Sequence, residues 1–230
     1  MNKFKSIKAL VFDLDDTLIH STAAYEEAIE SICPGKRNLK YHAARLAVKY
    51  RVGPHHVSSH NRVLYLKEML TREKNFSPAH VLDLLEKYES ALVQSIRHQW
   101  KRLNREFLLK KLSRHYTLAI LSNENTRTQL LKLCVIDPSA KYFKTILTSE
   151  ELGVEKPDRR MFMTMARLLG IPPRHCLMIG DNPAVDIKPA LRLGFKAILT
   201  CEFTNPKPPA PIFKFPVIDH LDQLIPLLKI

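Results

Sequence analysis

The chain alternates short, continuous apolar runs with longer stretches in which apolar residues recur at helical spacing. Continuous apolar runs of this length predict strands that are buried on both faces. We predict four such strands, at residues 7–12, 116–121, 145–147 and 176–179, and each leads into polar residues. A short final strand over 215–218 and a helix over 219–228 complete the pattern.

Between the later strands, helical spacing predicts helices at residues 124–135, 159–169 and 184–193. Strands that alternate with helices predict a parallel sheet with right-handed crossovers. Ligands of such sheets bind beyond the carboxyl ends of the strands. The polar residues that follow the strands are therefore expected at one edge of the sheet.

Residues 19–110 form a segment that is too long for a simple crossover between two strands. Helical patterns occur at 23–32, 39–51, 63–72 and 78–100, with breaks at Cys33-Pro34-Gly35, Gly53-Pro54 and Ser77-Pro78. The segment is predicted to be a helical domain inserted after the first strand. Residues 1–18 and 111–230 then form the core domain.

Asp13 and Asp15 lie two positions apart where the first apolar run stops. The two-residue side-chain period of a strand sends both carboxylates to roughly the same side. Two close like charges raise at least one pKa unless a cation lies between them, so the pair indicates a shared proton or a bound Mg²⁺. The alternative is a solvated turn, because Asp and Thr are common turn residues.

Residues able to hold phosphate or metal follow the other strands in the same way. They are Ser122-Asn123, Lys156-Pro157, Gly180-Asp181-Asn182 and, five residues after Asp181, Asp186. Taken alone, Ser122 is typical of a helix N-cap and Lys156 of a solvated loop cation. Their joint position after strand ends favours a single site.

These residues occur in the order of four sequence signatures of the haloacid dehalogenase superfamily, which the chain resembles. The signatures are matched by DLDDT at residues 13–17, Ser122, Lys156 followed by Pro157, and GDNPAVD at residues 180–186. The family consists mostly of Mg²⁺-dependent phosphatases. The resemblance implies an α/β fold with a Rossmann-like parallel-sheet core and an inserted α-helical cap. Asp16 stands where the family commonly has Gly, and we interpret it as a turn residue.

By this resemblance, Asp13 is the nucleophile that attacks phosphorus and forms an aspartyl phosphate. Asp15 protonates the leaving alcohol and then deprotonates water, which requires a pKa raised towards neutrality. Lys156 offsets the charge of Asp13 and, together with Ser122, holds phosphate oxygens.

Mg²⁺ is implied at Asp13, at the backbone carbonyl of Asp15 and at Asp181, with Asp186 acting behind the direct ligands or through a water. Thr17 and Asn123 complete the residues assigned to substrate binding. The hydroxyl of Thr17 is expected to support the carboxylate of Asp13.

The net charge of +13 raises the question of nucleic acid. Residues 19–110 carry sixteen Lys and Arg against nine Asp and Glu, which gives +7 and leaves +6 for the remainder. Because the excess is spread over the chain, a dedicated nucleic-acid groove is not expected. The aromatic residues at helical positions are expected to pack in the core rather than stack on bases: Tyr25, Tyr41, Tyr50, Tyr65 and Trp100.

The histidines His55, His56 and His60 are spaced as a metal site can be, but no second ligand set accompanies them. We interpret them as exposed loop histidines. The four cysteines lie far apart without C-x-x-C spacing, so reduced structural thiols are expected: Cys33, Cys134, Cys176 and Cys201.

The first apolar run is too short for a signal peptide or a membrane span, so a cytoplasmic protein without a membrane partner is expected. The proline-rich residues 205–211 are interpreted as a rigid spacer rather than an SH3-type ligand. The sequence carries no signal of oligomeric state.

The favoured function is a Mg²⁺-dependent phosphomonoesterase acting on a small phosphorylated metabolite, a nucleotide or a sugar phosphate. A phosphomutase of the same family uses the same carboxylates. A haloacid dehalogenase typically lacks the second motif Asp, which is present here as Asp15. A nucleic-acid-binding or scaffold protein on this fold predicts a degraded site, whereas the site residues are present: Asp13, Asp15, Ser122, Lys156 and Asp181.

Overall fold

The computed structural model describes residues 4–204 and 215–230. The strands in this part of the chain are β1 (Ala9–Phe12), β2 (Thr117–Ser122), β3 (Phe143–Thr148), β4 (Cys176–Gly180), β5 (Lys196–Thr200) and β6 (Val217–Ile218). They form one parallel sheet in the order β3-β2-β1-β4-β5-β6. The predicted Rossmann-like α/β core is confirmed.

Four helices lie between β1 and β2, namely α1 (Ser21–Ile32), α2 (Lys36–Val52), α3 (Arg62–Arg72) and α4 (Pro78–Leu103), and a fifth, α5 (Arg105–Ser113), leads into β2. The later helices are α6 (Thr126–Ile136), α7 (Ser149–Leu152), α8 (Arg159–Leu169), α9 (Lys188–Arg192) and α10 (Leu224–Leu228). The predicted breaks in the insertion coincide with helix boundaries. At one of them the Ser77 hydroxyl accepts the His80 N–H and caps α4.

The structure differs from the sequence pattern in four places, one of which is the short helix α7, where no helix is predicted. β5 and α5 are not predicted, because β5 begins with the exposed Lys196 and α5 is separated from α4 by Asn104 alone. Asn104 has a left-handed φ of 48°, which ends α4 before α5 begins. The helix predicted over 184–193 is divided into a π-helical turn (Pro183–Ile187) and α9.

The sheet buries both of its faces, as continuous apolar strands predict. Alternate residues of β1 belong to different apolar clusters, with Leu10 and Phe12 on one face and Ala9 and Val11 on the other. The first face shares its cluster with the helices α1 to α4, while α8 covers the second. Burial on two faces holds the strand ends in fixed relative positions.

Strand register brings the polar residues to one level at the carboxyl edge of the sheet. Phe12 pairs with Ile120 of β2 and with Ile179 of β4. Asp13 follows Phe12 directly, while Ser122 and Asp181 each lie two residues beyond the partners of Phe12. The predicted meeting of these residues at one edge is therefore confirmed for β1, β2 and β4.

The inserted helices contact one another, α1 with α4 and α2 with α3, and α4 also contacts α6 of the core. We call α1 to α4 the cap. Helix α5 contacts β2 and buries Leu108, Leu109 and Leu112. The domain boundaries at residues 18/19 and 110/111 stay predictions.

Within residues 4–204 and 215–230, no helix combines the length and the apolar character that a membrane crossing requires. The proline-rich residues 205–211 lie outside the described residues, so the spacer interpretation stays a prediction.

Candidate active site

A buried ammonium group lies between two carboxylates at the carboxyl edge of the sheet. Nζ of Lys156 lies 2.9 Å from Oδ1 of Asp13 and 2.7 Å from Oδ1 of Asp186. Burial alone would lower the pKa of Lys156, but the two carboxylates raise it well above its usual range. Lys156 is therefore a permanent cation beside Asp13, as the resemblance implies.

The backbone after β4 fixes the position of Asp186. Its Oδ2 accepts the N–H of Asn182 at 3.1 Å, and the Asn182 side chain accepts the N–H of Ala184 at 2.9 Å to begin the π-helical turn. Gly180 makes room for this carboxylate, because a Cβ at Gly180 would lie 2.5 Å from Oδ2 of Asp186. The glycine of this signature is thus required by close packing.

Three carboxylates converge at this edge of the sheet. One oxygen each from Asp13, Asp181 and Asp186 lies within 4.8 Å of the other two. Burial, opposed by Lys156 and assisted by Asp186, raises the pKa of Asp13 to about 7. Burial, assisted by Asp13 and Asp186, raises the pKa of Asp181 to about 8. One ammonium group does not balance three carboxylates, so the cluster favours a further cation.

Carboxylate oxygens in a tight group are the donors that Mg²⁺ prefers, so these residues fit the implied metal. Within the described part of the chain, no residue donates a hydrogen bond to the carboxylate of Asp181, which leaves both of its oxygens available. The carboxylate of Asp15 is not part of the cluster. A metal role for Asp15 therefore rests on its backbone carbonyl and stays a prediction.

The carboxylate of Asp15 is instead held by side chains of α6 and α1. Lys132 pairs with Oδ1, Gln129 donates to Oδ2 at 2.7 Å and the Tyr25 hydroxyl donates to Oδ1 at 2.9 Å. Burial alone would raise the pKa of Asp15, but the charge of Lys132 and these hydrogen bonds hold it well below its usual range. The prediction of a raised pKa for Asp15 is wrong.

Ser122 and Asn123 lie together in the loop after β2. The Ser122 hydroxyl oxygen accepts the N–H of Glu124 at 3.2 Å and a hydrogen bond from Gln129, so its own proton remains available to a ligand. The N-cap of α6 is Asn125 and not Ser122. The amide of Asn123 exchanges two hydrogen bonds with the backbone of Lys156, at 2.8 and 2.6 Å. Asn123 thus holds the Lys156 loop, and because it also lines the cavity described below, its role in substrate binding stays a prediction.

The turn after β1 corrects one assignment and confirms another. Thr17 is fully buried, and no described residue hydrogen-bonds its hydroxyl. Thr17 therefore does not support Asp13 through that hydroxyl, and it does not line the cavity described below. Asp16 has a φ of 52° and accepts the N–H of Thr22 at 3.0 Å, which confirms it as a turn residue.

Sequence reasoning missed the partners of Asp15 and the chain of contacts behind them. The Tyr25 hydroxyl also lies 3.1 Å from Oε2 of Glu124, which pairs with Arg62 of α3. The Arg62 guanidinium stacks over the Tyr25 ring at 4.3 Å. One sequence feature of α6 could have indicated these partners. Gln129 and Lys132 lie three residues apart, so they share one face of the helix, and that face is buried. A buried Lys is rarely unpaired, so its position indicates a carboxylate partner.

The site opens into a cavity of about 420 Å³ between the sheet edge and the cap. Asp13, Asp15, Ser122, Lys156 and Asp181 line one side of it, and the cap contributes His42, Arg45, His55, His60 and Arg62. Most of these cap groups lie beside a carboxylate. Nε2 of His60 is 3.2 Å from Oε1 of Glu155, and Nε2 of His42 is 3.2 Å from Oε2 of Glu26. Arg45 is half-buried and has no ion pair within the described residues.

The loop histidines are only partly as predicted. His55 is exposed, but the His60 side chain is 29% exposed and lies against the buried Glu155. Tyr41 and Tyr65 pack in the core as predicted, whereas Tyr50 is 92% exposed. The four cysteines are free, as expected for reduced thiols.

Comparison with known proteins identifies relatives along most of the chain. A glyceraldehyde 3-phosphate phosphatase from Methanothermobacter thermautotrophicus is 28% identical over 84% of this chain and 85% of that protein. A phosphoserine phosphatase from Thermus thermophilus is 34% identical over 45% of this chain and 41% of that protein, so the chain spans less than half of that relative.

A solved structure of similar fold is that of the HAD-hydrolase YfnB from Bacillus subtilis bound to magnesium. Its TM-score is 0.68 at 23% sequence identity, and the likeness covers 97% of this chain and 99% of that chain. The family model described as haloacid dehalogenase-like hydrolase matches residues 7–194. Because that match includes every site residue from Asp13 to Asp186, the chain belongs to the haloacid dehalogenase-like hydrolase family.

Proposed function

We propose that the protein is a Mg²⁺-dependent phosphomonoesterase that hydrolyses a small phosphorylated metabolite through an aspartyl phosphate at Asp13. The observation that carries the proposal is the buried Asp13–Lys156–Asp186 bridge beside Asp181. Membership of a hydrolase family and relatives named as phosphatases of small metabolites support phosphate monoester hydrolysis.

Asp13, Asp181 and Asp186 would hold the Mg²⁺, and the backbone carbonyl of Asp15 is a further expected ligand. The bound ion would supply the positive charge that lets an anionic nucleophile approach an anionic phosphate. The raised pKa values of Asp13 and Asp181 support this assignment. They mean that the single positive charge of Lys156 does not offset burial and the repulsion between the carboxylates.

The contact with Lys156 orients the Asp13 carboxylate for its attack on phosphorus. Oδ1 is engaged by the ammonium group, which leaves Oδ2 as the attacking oxygen. A bond forms between this oxygen and phosphorus while the bond to the leaving alcohol breaks, and water then displaces Asp13 from phosphorus. A carboxylate is a weak nucleophile but a good leaving group, so it divides one hard hydrolysis into two easier displacements.

Ser122 and Lys156 orient the phosphate during both displacements. The Ser122 hydroxyl has a free proton for a phosphate oxygen, and Lys156 brings a fixed positive charge. Such groups are effective because they are held in place before the substrate enters. Asn123 contributes by holding the backbone of Lys156.

Asp15 transfers the proton in both displacements. Lys132 and the hydrogen bonds around Asp15 keep its carboxyl group ionised, which suits its action as a base towards the attacking water. Its action as an acid requires it to take up a proton when the phosphate enters, since a nearby negative charge raises the pKa of a carboxyl group.

The cavity favours small substrates with further negative charge, such as sugar phosphates or nucleotides. Its volume of about 420 Å³ accommodates a small metabolite, and its lining includes the cap arginines Arg45 and Arg62. Arg45, which has no carboxylate partner within residues 4–204 and 215–230, is the group best able to receive a second anionic group of the substrate. The cytoplasmic location stays a prediction from the sequence.

The direct test measures phosphate release from an aryl phosphate and from a panel of sugar phosphates and nucleotides, with Mg²⁺ and with excess EDTA. We expect release only with the metal. Asp13→Asn should abolish turnover while leaving the fold intact, because it removes the nucleophilic charge at constant size. Metal-independent release, or near wild-type turnover by Asp13→Asn, would refute the proposal. Isomerised substrate without phosphate release would identify a phosphomutase.

A further inference from the structure

Asp15 is surrounded by three hydrogen-bond donors that lie outside the four sequence signatures. Gln129 and Lys132 come from α6, and Tyr25 comes from α1 of the cap. Gln129 holds Oδ2, while Lys132 and Tyr25 both hold Oδ1. Both carboxylate oxygens are therefore engaged, so rotation of this group about its Cβ–Cγ bond breaks at least one contact.

Lys132 is fully buried, and its ammonium group has two partners, the carboxylate of Asp15 and the Tyr25 hydroxyl at 2.6 Å. Burying an ammonium group costs several kcal/mol of solvation, and a buried ion pair often returns little net stability. Stability alone therefore gives a poor account of this lysine. Its contact with Asp15, the residue that transfers the proton in the proposed reaction, accounts for this lysine better.

The Tyr25 hydroxyl extends this arrangement into the cap. It has one proton and two carboxylates within reach, Asp15 at 2.9 Å and Glu124 at 3.1 Å, so it donates to only one of them at a time. Arg62 pairs with Glu124 and so makes Glu124 the weaker competitor for that proton. Donation to Asp15 is therefore favoured while Arg62 of the cap lies against Glu124.

We propose that Lys132 is the positioning residue that orients the carboxylate of Asp15 for proton transfer, with Tyr25 as its second support. The proposal rests on the proposed function, because it assumes that Asp15 transfers the proton. Lys132 acts on the reaction only through Asp15. Misplacement of a reacting group by about 1 Å can cost about 10²-fold in rate, so the expected effect on turnover is large.

The test is a double-mutant cycle on the full chain with Mg²⁺ and a sugar phosphate or aryl phosphate that the wild type hydrolyses. Lys132→Met should lower kcat by about 10-fold to 100-fold and change KM by less than about twofold. In an Asp15→Asn background, the same substitution should change kcat by less than about twofold, because the residue acts through Asp15. A role limited to folding would lower kcat in both backgrounds.

Arg127→Met is the matched control, because it removes a cation from the same helix that pairs on the surface with Glu89 of α4. It should leave kcat within about twofold of the wild type. Where Lys132→Met does not fold, Tyr25→Phe takes its place. It removes one oxygen and should lower kcat by about threefold to tenfold, again only when Asp15 is intact.

The proposal would be overturned if the losses of kcat in Lys132→Met and Asp15→Asn multiplied in the double variant. A wild-type kcat in Lys132→Met would also overturn it. A failure of the proposed function is separately visible. Wild-type protein that releases no phosphate refutes that function and the positioning role together. Activity that is unchanged in Asp15→Asn removes the proton-transfer role and, with it, the positioning role.

Discussion

Raising the pH of the metal-free protein from about 6 to about 8 should lower its free energy of unfolding. Folding raises the pKa of Asp13 from 3.8 to about 7 and that of Asp181 from 3.8 to about 8. The folded protein therefore binds more protons than the unfolded chain between these values. Stability falls with pH wherever the folded state holds the additional protons.

The size of the loss follows from the two pKa values. Between about pH 6 and pH 8, both carboxyl groups are ionised in the unfolded chain. In the folded protein, the Asp13 and Asp181 carboxyl groups lose their protons only within this range. Between about pH 6 and pH 8, Asp13 titrates over about one pKa unit and Asp181 over nearly two. Each unit lowers the free energy of unfolding by about 1.4 kcal/mol. Partial solvent exposure of Asp181 reduces its share, so we expect roughly 3 kcal/mol in total.

Neighbouring groups do not reverse this sign. Asp15 has a lowered pKa and is ionised in both states above about pH 6, and Lys156 has a raised pKa and is protonated in both states. Mg²⁺ binds ionised carboxylates, so the stabilisation that it provides should grow as the pH rises.

Urea denaturation in EDTA and in excess Mg²⁺, at pH values from about 6 to about 8, measures both effects. Asp181→Asn should flatten the pH dependence of the metal-free protein, because it removes one of the two titrating groups. Asp158→Asn is the control, since its carboxylate lies on the surface beside Arg160. Equal or greater stability of the metal-free protein at the higher pH would show that the carboxylate cluster does not retain protons as described.

Three further predictions concern packing, a buried ion pair and the cap. Gly180→Ala places a Cβ 2.5 Å from Asp186 and should cost about 1–3 kcal/mol of unfolding free energy in urea denaturation, with lower turnover. Arg105→Met removes the buried cation that pairs with the Glu202 carboxylate and should cost about 3–5 kcal/mol of unfolding free energy. Lys87→Met, which breaks the exposed pair of Lys87 with Asp83, should cost under about 1 kcal/mol. Arg45→Gln should raise KM about tenfold for a substrate with a second anionic group and leave KM for an aryl phosphate nearly unchanged. Arg51→Gln, an exposed cap cation paired with Glu68, should change neither KM value.

The sheet and the meeting of the site residues at one edge were predictable, because they depend on local patterns. A continuous apolar run predicts a buried strand, and alternation with helices predicts parallel order. Asp13, Ser122 and Asp181 then reach the same edge through strand register alone. Nothing beyond the positions of the strand ends is needed to bring these three residues together.

The environment of Asp15 was not predictable in the same way. Its partners Gln129 and Lys132 lie 114 and 117 residues away along the chain, and Tyr25 belongs to a helix of the insertion. Burial and counter-charge act on its pKa in opposite directions, so the sign depends on contacts that no local pattern specifies. The role expected of Thr17 is wrong for a related reason, because no local pattern specifies that its hydroxyl is buried without a hydrogen-bond partner among the described residues.

The cap is attached to the core next to the residues proposed to bind phosphate. Glu124, two residues after Ser122, pairs with Arg62, and Glu155, the residue before Lys156, lies 3.2 Å from His60. Both carboxylates are buried, so each contact between cap and core bears on a loop that carries a proposed phosphate ligand. A change in cap position therefore bears on the loops of Ser122 and Lys156 as well as on Asp15. Together with the hydrogen bond from Tyr25 of α1 to Asp15, these contacts tie the cap to three of the strand ends that form the site.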